Sequence, residues 1–323
     1  MKKVSVLIAV FTAVVMIGPP AMSQTYPKKP VSLVVPYPPG GNVDTGARII
    51  AEPLRQIFGK PFIVENKAGA GGMIAGEYVA KSAPDGHTLF VAANGPVLHS
   101  PLIYGRSPYE WSRDFAPINS IAFTPMALVV HPSVPVKTTK ELFELIQKKP
   151  GELKFATPGA GTTNDLLGAY LAMNTGAKWI TVHYKGNAPA LNDLLGGQVD
   201  FSFEQITTGL PHITAGKIRA LAVTADKRIP WLPDVPTLEE QGFKGAVGVT
   251  FTGVFAPAKT PGDILSRLND ALVKIIKEKD IVDKFFAVGA EARTTSPEEF
   301  KKYLAAEHAR WAKVIKEANI KVQ

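Results

Sequence analysis

The chain has 323 residues, 46% of them hydrophobic, a formal charge of +8 and no cysteine. Without cysteine, disulfides, thiol nucleophiles and cysteine-ligated zinc are excluded together, so a chain of this length must be held by its core, which is feasible at this size. Its lysines and arginines are scattered among acidic residues with no block of about five or six like charges, which argues against a nucleic-acid partner; the mild positive balance suits anionic solutes.

Met1-Lys2-Lys3 opens an apolar run over residues 4–17 that is broken by Pro19 and Pro20. A basic start, a short apolar stretch and small residues at Ala21 and Ser23 read as a secretory leader cut after Ser23. The alternative is a membrane anchor, but the run is shorter than the roughly 20 apolar residues that span a bilayer. Residues 31–35 then read as a buried strand, 45–58 as a helix with Asp44 as its N-cap, 62–65 as a strand, 73–80 as a helix and 88–92 as a strand. A similar block follows, with strands at 127–130, 154–156, 181–183, 199–203 and 219–224 and helices near 163–174 and 188–195. Thr138-Thr139-Lys140-Glu141 is a capping box for a helix reaching about residue 148. Residues 237–241 suggest a short helix stopped by Gly242, and 247–255 an extended run. A helix follows Pro261, and a last one opens on Ser296-Pro297-Glu298-Glu299 and runs to about residue 317. Strand–helix alternation of this kind predicts an α/β fold with a mainly parallel sheet, here in two blocks.

Two segments carry the chemistry. Pro36-Tyr37-Pro38-Pro39-Gly40-Gly41-Asn42-Val43-Asp44 follows a strand and opens a helix. Its glycines let backbone N–H groups face outward, and the positive helix end adds to them, making an anion site; the plainer reading is an ordinary tight turn. Thr157-Pro158-Gly159-Ala160-Gly161-Thr162-Thr163-Asn164 repeats the logic in the second block, without the Gly-Lys-Ser/Thr ending of a phosphate loop. Gly69-Ala70-Gly71-Gly72-Met73-Ile74 fails as a dinucleotide fingerprint, because Ile74 stands where its last glycine belongs, and reads as a loop packed close to a neighbour. There is no Gly-x-Ser-x-Gly elbow, no His-Glu-x-x-His, and the six histidines are dispersed, so neither a catalytic group nor a metal or other cofactor is expected.

These two loops belong to an ordered set of segments through which the chain resembles the periplasmic solute receptors of tripartite tricarboxylate transporters, often called Bug proteins. The others are Ala68-Gly69-Ala70-Gly71-Gly72, Ala83-Pro84-Asp85-Gly86-His87 and Asp114-Phe115-Ala116-Pro117-Ile118, then Tyr184-Lys185-Gly186-Asn187-Ala188-Pro189-Ala190, Leu194-Leu195-Gly196-Gly197-Gln198-Val199-Asp200 and Gly216-Lys217-Ile218-Arg219-Ala220-Leu221. The resemblance implies a two-lobed Venus-flytrap fold of the type II-like periplasmic-binding-protein kind, with a ligand cleft between lobes. Residues 24–126 plus 251–323 would form one lobe and 127–250 the other, hinged near Ala127 and Phe251.

It implies that the two loops grip one ligand carboxylate, through Tyr37, Gly40 and Gly41 from the first and Thr157, Gly161, Thr163 and Asn164 from the second. Asn94 matches a pocket position, and Asp44 is a helix cap rather than a contact. Glu204 stands where relatives often carry Asp, and either meets a ligand donor or caps the following helix. Phe251-Thr252-Gly253 also departs from relatives, in which an aromatic pair often precedes this glycine. A monomeric periplasmic receptor handing a small carboxylate to membrane permease subunits is the implied function. A sensor for a membrane receptor would share the fold and pocket, and an exported carboxylester hydrolase would need a nucleophile beside a base.

Overall fold

The computed structural model describes residues 26–105 and 107–320; the expected leader, residues 1–23, lies outside them. The first lobe begins with β1 (Val31–Val35), α1 (Asn42–Phe58), β2 (Phe62–Asn66), α2 (Met73–Ala80) and β3 (Thr88–Ala92). β1 is an unbroken apolar run buried on both faces because it lies between two parallel neighbours, Leu33 standing opposite Val64 of β2 and Leu89 of β3. α1 is amphipathic and stops where Gly59, at φ 67°, returns its N–H to the Arg55 carbonyl. Residues 95–103 form an irregular helical stretch ending in α3 (Ser100–Ile103), and the short α4 (Trp111–Asp114) leads into β4 (Phe115–Val130).

β4 is 16 residues long and runs through both halves of the sheet. The second half adds α5 (Thr139–Lys148), β5 (Lys154–Thr157), α6 (Thr163–Thr175), β6 (Ile180–His183), α7 (Asn187–Leu195), β7 (Phe201–Gln205), α8 (Ile206–Thr214) and β8 (Arg219–Val223). β9 (Val249–Pro257) then returns antiparallel to β4. It is followed by α9 (Gly262–Lys277), α10 (Lys279–Ala287), β10 (Glu291–Ala292) and α11 (Pro297–Glu317). The strands run β2-β1-β3-β9-β4-β7-β5-β6, with β8 and β10 both pairing with β4. Within each half the parallel strands aim their C-terminal ends at the other half, so the loops after β1, β3, β5, β6 and β7 meet between them. This is where open α/β sheets bind ligands.

Helices cover both faces of each half-sheet. α1, α9 and α10 bury Val43, Ile50, Leu272 and Phe285 on one face of the first, and α2 with the start of α11 buries Val79, Phe300 and Leu304 on the other. In the second half, α5 and α6 pack Leu142, Ile146, Leu166 and Leu171 against Leu128, Phe155 and Phe203. α7 and β8 supply Leu191, Leu194 and Val223 to the opposite face. α11 serves both halves, since its later residues Trp311, Val314 and Ile315 join the cluster around Leu128 and Phe155.

Three expectations change, and one helix is added. α1 starts at Asn42 with Gly41 as N-cap, so Asp44 is its third residue and not the cap. The expected strand at 127–130 is only the end of β4, hidden upstream by Pro117 and Pro125, residues that normally argue against a central strand. The register shift between Pro117 and Asn119 accommodates the first of these. Residues 237–241 form one turn, in which Thr237 and Glu240 exchange side-chain-to-backbone hydrogen bonds of 3.0 and 2.7 Å, and no helix follows. α8 was concealed by Gly209 and Pro211.

Candidate functional site

The loops before α1 and α6 are built by one device. Gly40, at φ 88°, donates its N–H to Asp44 Oδ2 at 2.9 Å; Gly161, at φ 75°, donates to Asp165 Oδ2 at 3.0 Å. In each case a glycine in the left-handed region stands four residues before an aspartate at the third position of a helix. Asp44 also accepts Arg48 Nε and Asn66 Nδ2, both at 2.9 Å. Burial works against its charge, but these hydrogen bonds outweigh it and hold the carboxyl below its usual range. Asp165 instead pairs with His183 Nε2 at 3.0 Å; this hydrogen bond outweighs partial burial and raises the imidazole above its ordinary value.

The N–H groups of Gly40 and Gly161 are therefore engaged within the protein. The donors left over are the backbone N–H groups of Gly41, Asn42 and Val43 at α1 and of Thr163 and Asn164 at α6, which have no acceptor among the described residues. The positive ends of two helices thus share one space. That space is a cavity of about 10 Å³, room for about one water. Tyr37 and Asn42 line it from the first loop, Ala93 and Gly95 from the end of β3, Thr162, Thr163 and Asn164 from the second loop, and Asn187, Gln205 and Thr250 from beyond.

The polar atoms here are unusual. Asn42 Nδ2, Thr163 Oγ1, Asn187 Nδ2 and Gln205 Oε1 are buried without a hydrogen-bond partner, and all four residues line the cavity. Leaving such a group unpaired costs about 1–3 kcal/mol, so native proteins rarely do it without cause. The remaining polar atoms of the floor are tied down. Gln205 Nε2 donates to Thr250 Oγ1 at 2.9 Å and lies 3.4 Å from Asn164 Oδ1, and Asn164 Nδ2 donates to the Phe203 carbonyl.

Of the residues singled out in the sequence, Tyr37, Thr163 and Asn164 line the cavity. Gly41 stands at its rim, where an added Cβ would come within 3.9 Å of Asn187 Oδ1. Gly40 and Gly161 shape the loops, the Gly161 carbonyl also lying 3.2 Å from His99 Nδ1 of the first lobe. Thr157 is behind the loop, its hydroxyl accepting the Gly159 N–H at 3.1 Å. Asn94 faces away. Its Oδ1 accepts the Phe251 N–H at 3.0 Å and its Nδ2 lies 3.5 Å from Glu307 Oε2, so it ties β3 to β9 and α11. Its neighbours Ala93 and Gly95 meet the cavity instead.

Glu204 is also off the cavity, because alternation along β7 sends it to the opposite face from Gln205. There it accepts the Thr208 hydroxyl and packs on Gly209, where a Cβ would lie 2.9 Å from its Cγ. Burial pushes its carboxyl up to about 8. The Asn187 side chain opposes that shift without closing a hydrogen bond. Asn42, Asn187 and Gln205 were missed. A signal for two of them stands in the sequence: Gly41-Asn42 and Gly186-Asn187 are both Gly-Asn pairs in which the asparagine opens a helix.

Tyr37 and Pro158 separate this cavity from a chamber of about 250 Å³ lined also by the Gly69–Gly72 loop, Tyr104, His183, Tyr184 and Lys185. The Gly69–Gly72 loop packs close to its neighbours, as expected. A Cβ on Gly71 would lie 2.7 Å from Ser100 Oγ and 3.0 Å from the Ala160 carbonyl of the second lobe, and one on Gly72 would lie 2.7 Å from Pro96 Cβ. Gly186 packs against Pro38 so closely that a Cβ there would lie 2.9 Å from Pro38 Cδ. The two lobes are in contact across the site.

Residues 46–320 match the model of the tripartite tricarboxylate transporter family receptor. The chain is 34% identical to protein BugT of Bordetella pertussis, with 100% of this chain and 99% of that one aligned. The solved structure of R. palustris Rpa4515 with adipate is 35% identical and has a TM-score of 0.89, over 92% of this chain and 99% of that one. MatC (Rpa3494) from Rhodopseudomonas palustris with bound malate is 31% identical with a TM-score of 0.85, over 90% and 100%. With this shared fold and these relatives along its length, the chain belongs to the tripartite tricarboxylate transporter receptor family, a family of solute receptors rather than enzymes.

Proposed function

We propose that this chain is a periplasmic receptor that closes on a small carboxylate and delivers it, as a monomer, to the membrane subunits of a tripartite tricarboxylate transporter. The observation that carries this reading is the convergence of unpartnered donors on one cavity. Backbone N–H groups at two helix starts and the side-chain amide of Asn42 lack acceptors, and a carboxylate supplies acceptors only. The adipate and malate held by the two R. palustris relatives agree with that chemistry. Among the described residues no helix is long and apolar enough to cross a membrane.

One lobe is built on the chain up to residue 126 and from 251 onward and the other on 127–250, with the end of α11 packed on the second, and they turn about the two strands that pass between them, β4 near Ala127 and β9 near Phe251. Tyr37, Gly41, Asn42, Thr163, Asn164, Asn187 and Gln205 surround the ligand. The first carboxylate docks on one loop in an open form. Closure then brings the second helix start onto the same anion, excludes water and strengthens each contact. The ligand must prefer the closed form, since equal affinity for both would shift nothing. A micromolar dissociation constant needs only about 8 kcal/mol, and a few charge-assisted hydrogen bonds of about 1.5–3 kcal/mol each supply much of it.

The test is a thermal-shift screen of residues 24–323 against mono-, di- and tricarboxylates, followed by calorimetry on each hit. A ligand that binds only the folded chain raises the melting temperature. Gly41→Val, which fills the gap toward Asn187, should remove that shift while the ligand-free melting temperature stays within a few degrees. An undiminished shift in Gly41→Val would move the binding site away from α1.

A further inference from the structure

Resting on the carboxylate site just described, we infer that His99 is a positioning residue of that site. From the first lobe, its Nδ1–H engages the carbonyl of Gly161 in the second anion loop, and so fixes that loop in its binding conformation only when the lobes are closed.

His99 is anchored in the first lobe. The preceding Val97 and Leu98 are buried with Val34 and Phe90, and Pro96 packs on Gly72. The imidazole is wholly buried, with its ring 5.7 Å from that of Trp311 and its Nδ1 3.2 Å from the Gly161 carbonyl oxygen. A carbonyl only accepts, so the proton of this contact sits on Nδ1. Burial drives the ring's value down to about 3, against the opposing pull of the Gly161 carbonyl, so it holds a single proton at neutral pH. Nε2 is left bare, buried and without a partner. A bare buried nitrogen costs stability that an apolar ring would not, and native proteins rarely keep one without cause. The donor on Nδ1 supplies the cause.

Gly161 sets the course of the second loop. Its own N–H is held from within the lobe by Asp165 Oδ2 at 3.0 Å, and the N–H of Thr162 by the Gly159 carbonyl at 3.2 Å. The Gly161 carbonyl instead takes its donor from the other lobe. Thr163 and Asn164, whose N–H groups have no acceptor among the described residues, follow directly. The same carbonyl oxygen lies beside Gly95 of the cavity wall, where a Cβ would come within 3.4 Å of it. A bare carbonyl dipole at the edge of an anion site repels the ligand, and His99 supplies the donor that engages it. When the lobes part, water replaces the imidazole on this oxygen. Removing the imidazole therefore leaves the carbonyl unpaired in the closed form alone, and apparent affinity falls with the closed fraction while the fold keeps its stability.

The experiment is calorimetry of residues 24–323 with adipate and with malate at pH 7, beside ligand-free melts. His99→Phe keeps a ring against Trp311 and has no donor. It should weaken whichever of these acids wild type binds by about tenfold, the worth of one hydrogen bond, without lowering the ligand-free melting temperature. A residue that only supports the fold would do the reverse. His99→Asn, whose Nδ2 stands where Nδ1 stood, should bind within about threefold of wild type. In acid-saturated wild type, long-range proton–nitrogen spectra should show a neutral His99 ring protonated on Nδ1; this reading stands even if a variant fails to fold. Undiminished affinity in folded His99→Phe, an equal loss in folded His99→Asn, or a ring protonated on Nε2 overturns the role of His99 and leaves the carboxylate site standing. Failure of both acids to bind wild type overturns the carboxylate site and the role of His99 with it.

Discussion

At the scale of single residues, the site is made by side chains that the fold leaves unsatisfied. Asn42 Nδ2 and Asn187 Nδ2 are buried and unpaired in the ligand-free chain. Replacing either with Ala removes a group that costs stability there but would bind an anion. We expect Asn42→Ala and Asn187→Ala each to weaken carboxylate binding about tenfold, with no loss of ligand-free melting temperature; calorimetry and thermal melts on the same samples check both halves. Glu204 predicts a pH dependence. Its folded value of about 8 lies above the ordinary carboxyl value of 4.5, so the folded chain holds this proton more tightly than the unfolded one. The stability it contributes is full below pH 4.5, falls as pH rises, and is lost above about 8. Glu204→Gln should be several degrees more stable than wild type near pH 8, with the advantage vanishing near pH 4.5. Parallel melts across that range that do not converge would refute the assignment. Sequence reading reached Tyr37, Thr163 and Asn164 because they stand in the two glycine-rich loops. It left Glu204 open between a ligand contact and a cap of the following helix, because a strand end alone does not say which face its residues take.

At the scale of elements, the repeated glycine–aspartate device separates shaping the loop from binding. Gly40 and Gly161 both occupy the left-handed region, which costs other residues about 1–2 kcal/mol. A Cβ at Gly40 finds its nearest neighbour 3.9 Å away, whereas one at Gly161 would lie 2.7 Å from Ile103 Cδ1 and 3.3 Å from Ser100 backbone atoms. Gly161→Ala should therefore lower the melting temperature clearly more than Gly40→Ala, as paired thermal melts would show. α11 offers a cleaner cap: Ser296 Oγ accepts the Glu299 N–H at 3.2 Å and Glu299 Oε2 accepts the Ser296 N–H at 2.8 Å. Ser296→Ala should cost about 1 kcal/mol in a urea melt. This box was legible because capping is local chemistry; at Thr138 only the cap itself forms, Thr138 Oγ1 accepting the Glu141 N–H at 3.1 Å while Glu141 Oε2 accepts the Lys137 N–H at 2.6 Å. β4 was not, because a strand buried by neighbours along its whole length has no alternation to display, and Pro117 is accommodated by a register shift against β9.

At the scale of the whole molecule, the described chain is in a closed arrangement, with Gly186 on Pro38, His99 beside the Gly161 carbonyl and Trp231 Nε1 donating to the Phe286 carbonyl at 2.7 Å. Gly186→Val would hold the lobes apart. Its radius of gyration in small-angle scattering should exceed that of wild type with saturating ligand, and ligand should no longer compact it. The two-block organisation was visible in the alternation of strands and helices. The integration of the C-terminal helix was not, because a single amphipathic pattern cannot show that its first turns face one core and its last turns another. Phe300 and Leu304 complete the core of the first lobe, and Trp311, Val314 and Ile315 that of the second. Synthesis proceeds from the N-terminus, so both cores are completed by the same late element, α11, and loss of that one helix would open both lobes together.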